Sequence, residues 1–196
     1  MSHRTRSKLL VTLIAAWAVG VTLSVFALTT HATQAAPNAE APESWPTRTQ
    51  LSRDPKRPTL VVLAHPMCPC SRATLRELER LLARVGDRVA TRVVFMRSLS
   101  TGADPRRSDL WRVASDIPGV VVSVDEGGAL MHVFGATASG QTLLYGVDGA
   151  LVFKGGITLP GGHEGDNGGR DAVEALIVGA SHARSVASVF GCPLAF

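Results

Sequence analysis

Thr59-Leu60-Val61-Val62-Leu63-Ala64-His65-Pro66-Met67-Cys68-Pro69-Cys70-Ser71 is the stretch on which the rest of the chain hangs. Its first six residues form a short apolar run, which reads as a buried strand. Pro69 suits the first position of a helix, where its missing N–H costs nothing. From Arg72 to Val85, the residues Leu75, Leu78, Leu81, Leu82 and Val85 fall on one face. Arg72, Arg76, Glu77, Glu79, Arg80 and Arg84 fall elsewhere, which is the pattern of an amphipathic helix. A strand therefore gives way to a helix within a few residues, with Cys68 near the N-cap and Cys70 and Ser71 in the first turn.

That position carries chemistry. The first turn of a helix leaves backbone N–H groups unpaired and presents the positive end of the helix dipole. A thiolate is stabilised there, so its pKa falls below the ~8.5 of a free thiol. The chain has only three cysteines, Cys68, Cys70 and Cys192, too few for a disulfide-stapled scaffold. The spacing of the first two points to reactivity. The opposing view is that they are small buried hydrophobes.

Downstream, Ala90–Phe95 with Met96 reads as a second strand, 105–115 as helical, and Val120–Val124 as a third strand. Ala129–Phe134 is a short helical or turn segment. Thr142–Tyr145 and Leu151–Lys154 flank Asp148-Gly149, a hairpin signal. A Gly-rich loop leads into a helix over Arg170–Arg184, with Val173, Leu176, Ile177 and Ala180 inward and Asp166 or Asn167 as its cap. Strands alternating with helices, then a late hairpin, imply an α/β sandwich around a mixed sheet.

Upstream, Leu9–Leu28 holds no charged residue. As a helix it would measure about 30 Å, the thickness of a bilayer core. Arg4, Arg6 and Lys8 precede it, and no Lys or Arg follows until Arg48. The positive-inside rule then leaves the N-terminus cytoplasmic and the rest outside. A cleaved signal peptide is the competing reading, with small residues at 31–36 for the peptidase, although its apolar stretch is usually shorter. The expected organisation is thus a cytoplasmic tip and transmembrane anchor over 1–30, a Pro-rich extracytoplasmic linker over 31–58, and one domain over 59–196. The linker, with Pro37, Pro42, Pro46, Pro55 and Pro58, is expected to be extended and semi-stiff.

Composition narrows the function. The apolar fraction of 45% suits a folded domain. The net charge of +4 is spread through the chain with no basic run interleaved with aromatics, so nucleic acid is not expected as a partner.

The motif resembles the thioredoxin superfamily, whose membrane-tethered members carry Cys-Pro-Pro-Cys after an apolar strand. The resemblance places the nucleophilic cysteine on Cys68 and the resolving position on Ser71, with Cys70 between them. More narrowly, His65–Leu75, Gly155–Thr158 and Gly162–Arg170 resemble the RedB-like membrane-anchored proteins, and with the element order the likeness spans roughly 59–185. It implies a thioredoxin-like sandwich. The chain departs from the pattern where thioredoxins place a cis-proline before the hairpin, since 137–142 reads Thr-Ala-Ser-Gly-Gln-Thr. It departs again where Ser71 replaces the resolving cysteine.

Two functions follow as expectations. The first is a thiol–disulfide oxidoreductase with Cys68, Cys70 and Ser71 at its site, no cofactor, and exported protein thiols or disulfides as partners. Cys70, or less favourably Cys192, would resolve the mixed disulfide. The second is copper(I) binding or delivery by Cys68, Cys70 and His163, two thiolates and an imidazole being suited to a soft cation. Peroxide reduction is weaker, since no Pro and Thr precede the cysteine in the peroxidatic manner. His163-Glu164-Gly165-Asp166-Asn167 is either part of the site or a capped surface loop. His65 reads as a local hydrogen-bond partner, Met67 as an apolar lid, and Cys192 as a bystander thiol.

Overall fold

The six residues Thr59–Ala64 form β1, every one of them buried, because this strand lies in the middle of the sheet with neighbours on both sides. The computed structural model describes residues 3–37, 40–97, 102–180 and 183–194. They fall into two units, 1–34 and 35–196.

The first unit is one helix, α1 (His3–Thr33). Leu10–Thr30 is long and apolar enough to cross a membrane, with a mean hydropathy of 2.2. The hydroxyls of Thr12, Thr22 and Ser24 donate to the carbonyls of Lys8, Ala18 and Gly20, each at 2.8 Å. Such back-bonding satisfies them without water, which suits an apolar surrounding.

The second unit carries α2 (Pro69–Val85), β2 (Ala90–Met96), α3 (Asp109–Asp116), β3 (Val120–Asp125), α4 (Ala129–Val133), β4 (Gln141–Tyr145), β5 (Leu151–Gly155) and α5 (Gly168–Ile177). The sheet order is β3-β2-β1-β4-β5. β1 pairs with β2, and β2 with β3, in parallel, Val62 lying opposite Val93 and Val93 opposite Val122. β4 runs antiparallel to both β1 and β5. The Asp148-Gly149 turn closes the hairpin, with Gly149 at φ +86° and the Asp148 carboxylate accepting from Ala150 N–H at 3.0 Å. The α/β architecture with a mixed sheet and one apolar N-terminal helix is as the sequence implied.

Alternate residues of a strand face opposite sides of its sheet. Leu60 and Val62 of β1, with Val93 and Phe95 of β2, meet Leu75, Leu78 and Leu81 of α2, Leu110 of α3 and Val173 of α5 on one side. Val61, Leu63, Val94, Met96, Leu143 and Tyr145 face the other side, where α4 offers Met131 and the turn after it Phe134. One short helix is too little to cover that face.

Residues from the expected linker complete the cover, and this corrects the 31–58 boundary. α1 runs on to Thr33. Ala41 and Leu51 are buried in the second cluster, and Trp45 packs edge-on against Phe134 at 5.4 Å and Tyr145 at 5.2 Å. Trp45 N–H donates to Gly149 O, Leu151 N–H to Glu43 O, and the Tyr145 hydroxyl to Pro42 O. A segment rich in proline still makes a good cover when its few apolar side chains have a sheet face to fill.

Two helix expectations also change. α5 ends at Ile177 instead of Arg184, because Gly179 takes φ +95° and turns the chain away, which leaves Ala180 exposed. The 105–115 segment breaks into a single turn, Pro105–Arg107, followed by α3, whose first turn is capped by the Ser108 hydroxyl accepting from Trp111 N–H at 3.1 Å.

Candidate functional site

At the C-terminal end of β1 the chain turns through His65, Pro66 and Met67 into α2. The turn closes on the His65 carbonyl, which accepts from Cys68 N–H at 3.2 Å and from the Ser71 hydroxyl at 3.1 Å. His65 N–H donates to the Ser139 hydroxyl at 2.8 Å, and His65 Nδ1 accepts from Met67 N–H at 3.2 Å. Burial pushes the imidazole pKa down, so it serves as a neutral acceptor. His65 is thus a local hydrogen-bond partner, as its position suggested. Met67 is 70% exposed and turned to solvent, not folded over the site as a lid.

Cys68 is the N-cap of α2, Pro69 is the first helical residue, and Cys70 lies in the first turn. Cys68 is only 2% exposed. Burial alone would raise its pKa. The neighbouring Cys192 thiol and the backbone N–H groups of Cys192, Ser71 and Cys70 outweigh it, and the net shift is downward. Cys70 is half-buried and its pKa rises, first through burial and then through the negative charge of Cys68.

Ser71 is fully buried. Its hydroxyl shares a hydrogen bond of 2.5 Å with the Ser139 hydroxyl, besides donating to His65 O. Ser71 thereby ties the start of α2 to the segment entering β4. Gly140 follows Ser139 at φ +91°, its N–H donating to Leu63 O at 2.8 Å, and a Cβ there would sit 2.8 Å from Thr74 Oγ1.

Sequence reasoning underrated Cys192. Its sulfur lies 2.8 Å from that of Cys68. Burial first, then the Cys68 thiol and its charge, push the Cys192 pKa up to about 12. The segment bearing it is held by backbone pairing. Ser139 N–H donates to Cys192 O at 2.9 Å, Leu194 N–H to Thr137 O at 3.1 Å, and Ala138 faces Pro193 in an antiparallel bridge. Gly191 passes against Ser139 with no room for a side chain. No local pattern announces such a contact. The one signal was that a third cysteine existed.

The loop before α5 comes to the same end of the sheet. The Pro160–Gly162 turn lies on Cys70, a Cβ at Gly162 falling 3.6 Å from the Cys70 sulfur. His163 itself is exposed. Among the described residues no group of three His, Cys, Asp or Glu side chains is placed to hold a metal ion, so the copper triad of Cys68, Cys70 and His163 is not assembled.

The remainder of that loop is structural. Glu77, expected on the outer face of its helix, is fully buried under the loop. Its carboxylate accepts from Arg170 Nη1 at 2.6 Å, from Gly165 N–H at 2.8 Å, from the Asn167 amide at 3.4 Å and from Arg80. Glu164 pairs with Arg76 and Arg80 at 2.9 Å each. Asn167 caps α5 by accepting from Arg170 N–H at 2.7 Å. The motif Gly162–Arg170 is therefore a clamp that fastens the loop and α5 to α2.

No protein-family model matches the sequence. No curated protein matches it either. Solved structures do resemble it. A conserved uncharacterised protein from Geobacillus kaustophilus superposes with a TM-score of 0.60 at 14% identity, over 84% of this chain and 93% of that one. A hypothetical protein from Sinorhizobium meliloti 1021 gives 0.57 at 18%, over 82% and 93%. A candidate thioredoxin from Neisseria meningitidis gives 0.50 at 18%, over 76% and 93%. The narrower RedB-like resemblance rests on the sequence motifs alone. With this strand order, and with its cysteine pair where β1 enters α2, the chain has the fold of the thioredoxin superfamily.

Proposed function

We propose that the chain is a membrane-anchored, extracytoplasmic thiol–disulfide oxidoreductase in which Cys68 is the attacking thiolate. The observation that carries this is the division among the three thiols. Cys68, at a helix N-cap, is shifted toward the thiolate, while Cys70 and Cys192 beside it are shifted toward the thiol. Such an arrangement prepares one nucleophile and keeps a second thiol protonated in reserve. The partners are exported proteins bearing thiols or disulfides. Ser71 is a positioning residue, joining the helix start to Ser139.

The apolar span of α1 supports this location. Arg4, Arg6 and Lys8 on one side of it, and no Lys or Arg until Arg48 on the other, are the charge pattern of a domain held outside the cytoplasm. Disulfide chemistry persists in such a compartment.

The test is a redox titration of the full chain in detergent, following free thiols against set potentials. A reversible two-electron couple that disappears in Cys68→Ser is the expected result. A couple that survives that substitution overturns the proposal. So do thiols that stay reduced at every potential while one copper(I) ion binds tightly.

A further inference from the structure

An attacking thiolate needs a second thiol to release it from a mixed disulfide, and the structure offers two. Cys70 is two residues from Cys68, so a bond between them would close a very small ring and strain the S–S geometry. Its thiol is also held against the Pro160–Gly162 turn. Cys192 is different. Its sulfur already lies 2.8 Å from Cys68, and only a short closing movement separates that contact from a disulfide.

The chain reaches this point along a defined path. After α5, Ser185 O accepts from Lys154 N–H at 2.9 Å and Ala187 N–H donates to Lys154 O at 3.1 Å, so the segment follows β5. Val189 is buried, and its carbonyl accepts from Ala36 N–H at 2.8 Å. Gly191–Leu194 then crosses to Ser139 as a short antiparallel addition, with Leu194 buried among the second cluster. Cys68 is only 2% exposed, with the Cys192 sulfur of this stretch set against its own. A partner's disulfide has no approach to the Cys68 sulfur until Cys192 moves aside. The backbone bonds across Ser139 and Thr137 are few, so these four residues can part from the sheet while the rest of the segment stays attached at Val189 and Lys154.

We propose that Cys192 is the resolving thiol of this site, carried on a C-terminal strand that lifts from Ser139 to admit a partner and returns to expel it. The proposal rests on Cys68 being the attacking thiolate. In the first step the Cys68 thiolate attacks one sulfur of a partner disulfide. A Cys68–partner bond forms, the partner's own S–S bond breaks, and its other sulfur leaves as a thiolate that takes up a proton. In the second step the returning Cys192 gives its proton to solvent and its sulfur attacks that of Cys68. The Cys68–Cys192 bond forms, the Cys68–partner bond breaks, and the second partner sulfur leaves and is protonated. Two electrons pass from the chain to the partner, and the two protons the partner takes up come through solvent, one of them balanced by the proton that Cys192 gives up. The reverse sequence oxidises a partner dithiol. The order of steps has an electrostatic basis. Cys192 is held protonated by burial and by the Cys68 charge, and that charge vanishes once Cys68 enters a mixed disulfide.

The test uses the reduced full chain in detergent near neutral pH with one equivalent of the aromatic disulfide DTNB, read by thionitrobenzoate release, intact mass and disulfide mapping. The wild-type chain is expected to release both thionitrobenzoate halves and to map as a Cys68–Cys192 disulfide. Cys192→Ser is expected to release one half and keep the other on Cys68. A wild-type map showing Cys68–Cys70, or a Cys192→Ser chain that still releases both halves, overturns the assignment. The wild-type map needs no variant, so misfolding of Cys192→Ser does not blunt the test. If Cys68 fails to attack DTNB at all, the oxidoreductase reading itself falls. If Cys68 attacks and resolves onto Cys70, only the role of the C-terminal strand falls.

Discussion

Gly191 lies so close to Ser139 that a Cβ on it would sit 1.8 Å from the Ser139 carbonyl oxygen. The C-terminal strand can lie over Cys68 only because position 191 has no side chain. Replacing Gly191 by alanine forces backbone against backbone, a contact no rotamer change relieves. Overpacking of this kind costs about 1–3 kcal/mol, and about 1.4 kcal/mol is tenfold in a rate or population. Gly191→Ala should therefore raise the alkylation rate of Cys68 roughly tenfold, read by mass spectrometry on the modified peptide. The melting temperature should hardly change, since the clash is relieved by lifting Gly191–Leu194 from Ser139, which breaks only a few backbone bonds. An unchanged alkylation rate would mean that this strand does not guard the sulfur.

The three thiols should separate by pH. Alkylation follows the thiolate fraction, which rises as pH climbs through the pKa. For Cys68 the shift is downward, so its rate should reach half-maximum at lower pH than that of an ordinary exposed thiol. Cys70 and Cys192 shift upward, Cys192 to about 12, so they should remain unreactive through the same range. Residue-resolved alkylation across pH gives all three profiles. The profile of Cys70 should also move to lower pH in Cys68→Ser, because part of its upward shift is the Cys68 charge.

Glu77 and Arg170 form an ion pair with side chains only 0% and 4% exposed. Removing one partner of a buried pair strands the other's charge, at a cost of about 3–5 kcal/mol. Glu77→Ala should therefore lower the urea midpoint sharply, and Glu77→Gln less so because its amide oxygen still accepts from one of the two, Gly165 N–H or Arg170. The double change Glu77→Leu with Arg170→Met should recover much of the loss. If both single variants were as stable as wild type, the loop before α5 would not be clamped through this pair.

Trp45 should matter to stability although it lies far from the cysteines in sequence. It is partly buried, so truncation to alanine should cost less than the ~3–5 kcal/mol of a fully buried Trp, about 2 kcal/mol. Chemical denaturation of the full chain, followed at the second unit, would measure it. A negligible effect would return residues 40–51 to the status of a linker.

Much of the fold was legible because its causes are local. The all-apolar run of β1, the heptad-like leucines of α2 and the Asp148-Gly149 turn each act over a few residues, and each element appears where its pattern stood. The N-cap position of Cys68 was legible for the same reason, since Pro69 and the leucine face behind it fix where α2 begins. Glu77 was misplaced because a charge on a helix is ordinarily solvated. Only the loop from Gly165 to Arg170, supplying donors from nearly a hundred residues away, turns its site into a buried one.

The sequence by itself determined an apolar helix followed by an α/β domain, with a cysteine poised for reactivity where its first strand enters its first helix. Tertiary structure alone decided the cover of the second sheet face and the thiol that meets Cys68. Both depend on contacts between residues far apart in the chain, Cys68 and Cys192 being 124 positions apart. Periodicity and turn chemistry carry no information over such distances. The pairing exists because β4 lies beside β1, which brings Ser139 to the start of α2, and because Gly191 lets a second backbone lie against it.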